Sequence, residues 1–170
     1  MRVFADVEEL AAAQGQHLGH SPWYPVSQKT ITLFAEATGD RQWIHVDPER
    51  AATGPFGRTV AHGYYLLAVL PALLGDVFTV ERVGSVVNTG VDALRFHRPV
   101  PVDAQIRVGA RLAEVTVSRR GVAELGVDAE IHLQGIDVPA CTATVRSMIR
   151  PVRALVRTPV KASGGLVAGM

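Results

Sequence analysis

Cysteine is nearly absent from this 170-residue chain: Cys141 stands alone, which excludes an internal disulfide and fits a reducing compartment. Charge is sparse too. Asp, Glu, Lys and Arg make up 19% of residues, below the usual quarter, and 17 basic side chains almost cancel 16 acidic ones. The resulting net charge of +1 gives no general attraction to nucleic acid or anionic lipid, so any anion site must be local. No window approaches the roughly 20 apolar residues a membrane span needs. Asp6, Glu8 and Glu9 sit where a signal peptide would be basic. The expectation is a cytoplasmic protein with neither nucleic acid nor membrane as partner. What the chain does have is 48% hydrophobic content, in a length suited to one domain with a full core.

The first half carries the chemistry. Asp6 can cap a helix over residues 7–14, which Gly15 would stop. Residues 17–25, with two prolines and two aromatics, read as loop and extended chain, Trp23 and Tyr24 covering the core. Ser27 is suited to cap a helix over residues 28–38, whose Ile31, Phe34, Ala35 and Ala37 share one face, and Gly39 to end it in the left-handed region. Asp40 is thereby delivered at a sharp helix exit. His45 follows five positions later, ahead of an Asp47-Pro48 helix start that Gly54-Pro55 soon closes. A carboxylate and an imidazole flanking one short loop can converge on one bound molecule, holding a water and passing a proton near neutral pH. A metal reading through His45, Asp47 and His62 lacks a dense ligand cluster, and no metal is expected.

Residues 60–74 read VAHGYYLLAVLPALL, with Thr59 a cap and Gly75 beyond the end. A helix apolar on nearly every face is expected to be buried on every face, and about 22 Å of it suits the centre of a small domain. Gly63 lies in the first turn, where unpaired N–H groups and the helix dipole would stabilise a carbonyl oxygen gaining negative charge. Close packing explains that glycine equally well. Pro71 should kink the last turn.

The second half alternates. Val102, Ala104, Ile106, Val108, Ala110 and Leu112 are apolar among polar neighbours, and Ala113, Val115 and Val117 continue in the opposite phase, which implies a bulge near Leu112. A turn at 118–121 leads to a second alternating run over 123–133, and a turn at 135–137 to a third ending near Ile149. Residues 85–100 read as another strand, with Leu94 and Phe96 inward and Arg95 and His97 outward. Such strands, at about 43 Å for 13 residues, must curl round the shorter helix. The expected fold is α+β, a curved antiparallel sheet wrapped around one buried helix, with open edges that favour a homodimer. Residues 1–151 would form this single domain and residues 152–170 a mobile tail with solvated basic side chains.

The run A-T-G-D-x-Q-W-I-H-x-D at 37–47, followed by G-P-F-G-x-T-V-A-H-G-Y at 54–64, resembles the MaoC-like family of hot dog fold (R)-specific enoyl-CoA hydratases, in particular its single-domain actinobacterial type. The resemblance covers roughly residues 7–151. It implies a catalytic pair of Asp40 and His45 with the Gly63 N–H as oxyanion donor, adding water to a trans-2-enoyl thioester to give the (3R)-hydroxyacyl thioester. Asp40 would accept the water's proton while His45 holds that water and protonates the α-carbon. Trp43, His62, Tyr64, Asn88 and Arg95 are implied at the substrate, Arg95 and His97 toward its phosphates. Thr89 departs from a more usual Tyr, and Pro71 stands where a helix hydroxyl would orient the aspartate, a task left to Asn88. No cofactor is implied, since coenzyme A, or a carrier protein in its place, belongs to the substrate. A hot dog thioesterase and a non-catalytic acyl-thioester binding subunit are the rivals; keeping both Asp40 and His45 argues against each.

Overall fold

The computed structural model describes residues 1–152. Helix starts follow local chemistry. The Asp6 carboxylate accepts from Glu9 N–H ahead of α1 (Val7–Ala12), and Ser27 Oγ from Thr30 N–H ahead of α2 (Gln28–Thr38). Gly39 ends α2 at φ 80°, in the left-handed region where a side chain would be strained. Two short helices follow, α3 (Trp43–Val46) and α4 (Pro48–Ala52), and Asp47 caps the second through Arg50 N–H. His45 therefore rides on a helical turn rather than in open loop. The central helix is α5 (Gly63–Val77).

Around these lie β1 (Arg2–Phe4), β2 (His17–His20), β3 (Tyr24–Pro25), β4 (Phe78–Val80), β5 (Val83–Phe96), β6 (Gln105–Val117), β7 (Ala123–Leu133) and β8 (Cys141–Pro151). The main sheet runs β2-β6-β7-β8-β5, antiparallel throughout, and β3 also pairs with β6. Its inner face is the expected one: Ile106, Val108, Ala110 and Leu112 of β6 are buried with Leu125, Val127, Ala129 and Ile131 of β7. The expected bulge falls between Leu112 and Glu114. β1 and β4 form a separate parallel pair. Three-residue strands are too short to show alternation, which is why neither is visible in the sequence.

α5 corrects two expectations. It starts at Gly63, with His62 rather than Thr59 in the N-cap position and no side-chain capping bond, and runs through Gly75 to Val77. Nor is it buried on every face: Tyr65, Leu66, Leu70, Leu73, Leu74 and Val77 enter the core, while Tyr64, Ala68, Pro71 and Ala72 are exposed. Pro71 removes one backbone bond on this exposed side, and the helix continues past it. Edge strand β5 also departs from its expected phase. A register shift between Asp92 and Arg95, with Ala93 at φ 51°, leaves Leu94 against the core but Phe96 43% exposed. Among the described residues, the open side of α5 and Val86, Val87 and Val91 of β5 leave apolar side chains exposed. Among the described residues no helix is long and apolar enough to cross a membrane. The expectation for the tail falls, apart from Val152, outside the described residues.

Candidate active site

Three side chains converge where α2 ends and α5 begins. The His45 ring, 7% exposed, presents Nδ1 to the Val60 carbonyl at 2.6 Å. A carbonyl only accepts, so Nδ1 carries the hydrogen and Nε2 is left with a free lone pair. His62, 2% exposed, places Nε2 at 2.9 Å from the Asp40 main-chain oxygen and 3.9 Å from its carboxylate. The two imidazoles are stacked, centroids 3.7 Å apart at 24°. Asp40 itself is open, its side chain 56% exposed, with Oδ1 accepting a long bond from Gln42 N–H at 3.4 Å.

The pair is supported from behind by residues that carry no recognisable motif. Gln28, in the first turn of α2, donates from Nε2 to the His45 carbonyl at 2.8 Å and accepts from Thr59 Oγ at 2.5 Å. It thereby ties α2, α3 and the approach to α5 together. Thr59 is 1% exposed, so this is a buried, satisfied network. Phe34 packs on the other partner, its ring 5.0 Å from that of His62. Phe34 was legible as a core residue of α2; a lone Gln ahead of a helical pattern gives no signal.

Burial holds the His45 imidazole below its usual 6.5, and the neighbouring His62 opposes protonation further, against the Val60 bond and the Asp40 charge, which favour it. His20 on the outer sheet face is lowered in the same direction, first by burial and then by Arg107. A histidine whose folded value is depressed adds stability above its unfolded value, and that stability is lost as pH falls below it. Urea midpoints are therefore expected to drop between pH 7.5 and pH 5; a flat profile across that window would contradict the burial of His45.

The other expected site residues are placed less uniformly. The Gly63 and Tyr64 N–H groups precede the first donor of α5, Tyr65 N–H to His62 O. A Cβ on Gly63 would stand 3.0 Å from the Phe96 ring, so close packing accounts for the glycine. Trp43 packs against its own segment. Its ring lies 2.8 Å from where a Cβ on Gly54 would be, under the Arg50 guanidinium at 4.5 Å, and braces α3 on α4. Tyr64, 68% exposed, meets Phe96 edge-on at 6.0 Å. His62, expected at the substrate, touches Asp40 and His45.

Asn88 does not orient Asp40. It accepts from Ser147 Oγ at 3.2 Å at the side of a 250 Å³ apolar cavity between the C-terminal half of α5 and the sheet, lined by Pro71, Leu74, Val86 and Val145. Arg95 turns back on the Leu94 carbonyl at 2.9 Å. The cation beside Gly63 is Arg98, which with Ala61, Phe96 and His97 lines an open cavity of 330 Å³. Alternation assigned Arg95 to the outside and passed over Arg98, because the strand ends at Phe96.

Asp40, His45 and His62 each offer a ligand atom within 4.8 Å of the others. Two of their ring nitrogens, His62 Nε2 and His45 Nδ1, are already bonded to carbonyls.

Against this geometry stand the likenesses to known proteins. The model of the MaoC like domain matches residues 9–131. The chain belongs to the MaoC-like dehydratase family. It shares the family's hot dog fold and is accordingly a hydro-lyase. It is 45% identical over 152 residues to the 3-hydroxyacyl-thioester dehydratase Z of Mycobacterium tuberculosis, covering 89% of this chain and 99% of that protein. Among solved structures it resembles the MaoC-like dehydratase from Rhodospirillum rubrum, with a TM-score of 0.65, 21% identity and coverage of 82% and 93%. It also resembles the (R)-hydratase from A. caviae involved in PHA biosynthesis, with a TM-score of 0.61, 22% identity and coverage of 81% and 96%. At those identities the two structures speak for the fold.

Proposed function

We propose that this MaoC-like protein catalyses the reversible hydration of a trans-2-enoyl thioester to the (3R)-hydroxyacyl thioester, with Asp40 and His45 as the reacting pair. The observation that carries the reading is the free Nε2 of His45, fixed by the Nδ1–H bond to Val60 and placed near the Asp40 carboxylate. The dehydratase Z relative supports an acyl thioester as substrate.

In the hydration direction His45 Nε2 takes a proton from water as the oxygen bonds to Cβ. The electron pair of the double bond moves to the thioester carbonyl, where the free N–H groups at the start of α5 meet the oxyanion. The imidazolium then returns the proton to Cα, and the carbonyl re-forms. Asp40 holds the water through a second hydrogen bond and offsets the imidazolium charge. This reverses the division of labour that the family resemblance implied, because an imidazole whose Nδ1–H is committed to a carbonyl starts the cycle as an acceptor.

The protein acts as a homodimer on this reading, with the exposed edge of β5 and the open side of α5 covered by a second copy. Arg98 meets a phosphate of the pantetheine or nucleotide arm. Arg98→Ala is expected to raise KM for crotonyl-CoA about 10- to 100-fold, the worth of one charge-assisted bond. KM for the N-acetylcysteamine thioester, which has no phosphate, is expected to stay unchanged.

Stereochemistry tests the reading. Offered (3R)- and (3S)-3-hydroxybutyryl-CoA separately, the protein is expected to dehydrate the first and leave the second. Equal turnover of both, or of the (3S) form alone, would refute it.

A further inference from the structure

We infer that His62 is a positioning residue for this reaction, holding the Asp40 main chain with its Nε2–H and the His45 ring with its flat face. The inference rests on the reading of Asp40 and His45 as the reacting pair. It assigns His62 a task distinct from theirs.

The geometry leaves the ring little freedom. Its Nε2 is 2.9 Å from the Asp40 carbonyl oxygen, so that nitrogen carries the hydrogen. Nδ1 is buried with no hydrogen-bond partner among the described residues. A buried polar atom without a partner is a cost that a hydrocarbon ring would not incur, so something must be gained from the imidazole. One face stacks on His45 at 3.7 Å, and Phe34 lies on the ring at 5.0 Å. The stack on His45, with the Phe34 ring packed against His62 at a tilt of 56°, fixes the plane of His62, and through it the plane of His45. The Nε2–H fixes the main chain one residue beyond the αL turn at Gly39, where Asp40 would otherwise swing with the loop.

Histidine supplies both a flat ring and an N–H in a side chain smaller than that of tryptophan, the other residue with both. Phenylalanine keeps the wall and loses the donor; glutamine keeps a donor and loses the wall. The titratable groups that face His45 are Asp40 from the α2 exit and His62 from the cap of α5. Neither substitution at position 62 brings a new charge into the site.

The test combines kinetics with imidazole ¹⁵N NMR on the full chain. In the wild type at pH 7.5, His62 is expected as the Nε2–H tautomer and His45 as the Nδ1–H tautomer. In His62→Phe the His45 signature is expected to persist, and in His62→Gln to be lost. Each variant is expected to lower kcat about 10- to 100-fold, the size of effect that small misplacement of a reacting group produces, with KM within about threefold of wild type.

A folded variant with wild-type kcat would overturn the inference, as would a raised KM with kcat intact, which is the mark of a substrate contact. The opposite tautomer of His62 in the wild type would overturn it without any variant. If the wild type proves inactive on every enoyl thioester, the proposed function fails, and the tautomer and its dependence on position 62 still decide whether His62 organises this site.

Discussion

Asp40→Asn and His45→Gln are each expected to lower kcat for enoyl-thioester hydration by about 10²- to 10⁴-fold, the range over which a positioned acid or base acts. Neither should unfold the protein. The Asp40 side chain is more than half exposed and its one bond, to Gln42 N–H, is long, so the amide costs little stability. Gln at position 45 can still donate to the Val60 carbonyl, but it has no basic nitrogen with which to take a proton. The double substitution is expected to be scarcely slower than the worse single one, because the two groups serve one proton transfer. Initial rates with crotonyl-CoA, alongside thermal melts of each variant, check all three statements. Rates within tenfold of wild type in a folded His45→Gln would remove the imidazole from the mechanism.

The largest expected effect on stability lies in α5. Leu70 is 1% exposed and faces the sheet, so Leu70→Ala removes buried methyl groups from the centre of the core and leaves a cavity. The expected loss is about 2 to 5 kcal/mol. For a chain of this size that lowers the melting temperature by about 4 to 20 °C. Leu33→Ala, at a position 54% exposed on α2, is the control and is expected to change little. A thermal melt of both separates core from surface. Because the first turn of α5 carries His62 and Gly63, Leu70→Ala should also make activity fail at a lower temperature while kcat at 15 °C stays near that of wild type.

The contrast between these two sites bears on what a sequence discloses. Alternation over 102–112 and 123–133 exposed the inner face of the sheet residue by residue, because period two has one structural meaning when half the positions are apolar. Capping chemistry located α2 to the residue through Ser27 and Gly39. What local patterns could not show was anything decided by a distant segment. α5 has an exposed apolar side because β5 and the helix both face outward there, and the run VAHGYYLLAVLPALL looks the same whether solvent or a second subunit covers it.

The convergence of the two residues proposed to react was legible for a different reason. Asp40 and His45 lie five residues apart at a helix exit, so their convergence is a local matter. Gln28 and Val60 bond His45 across 17 and 15 positions of sequence, Thr59 bonds Gln28 across 31, and no short pattern marks such partners. Asn88 and Arg95 were placed by resemblance alone. Their actual neighbours, Ser147 and the Leu94 carbonyl, follow from the β5–β8 register and from the bulge at Ala93.

The most direct measurement is the ultraviolet absorbance of crotonyl-CoA incubated with the wild-type protein, followed together with free thiol in the same cuvette. Loss of the enoyl-thioester band with no thiol released, and none of that loss in Asp40→Asn, is the result expected of a hydratase that works through this pair. Thiol appearing in step with the absorbance change would make the protein a thioesterase, and an unchanged band over several acyl lengths would contradict catalysis on enoyl thioesters altogether.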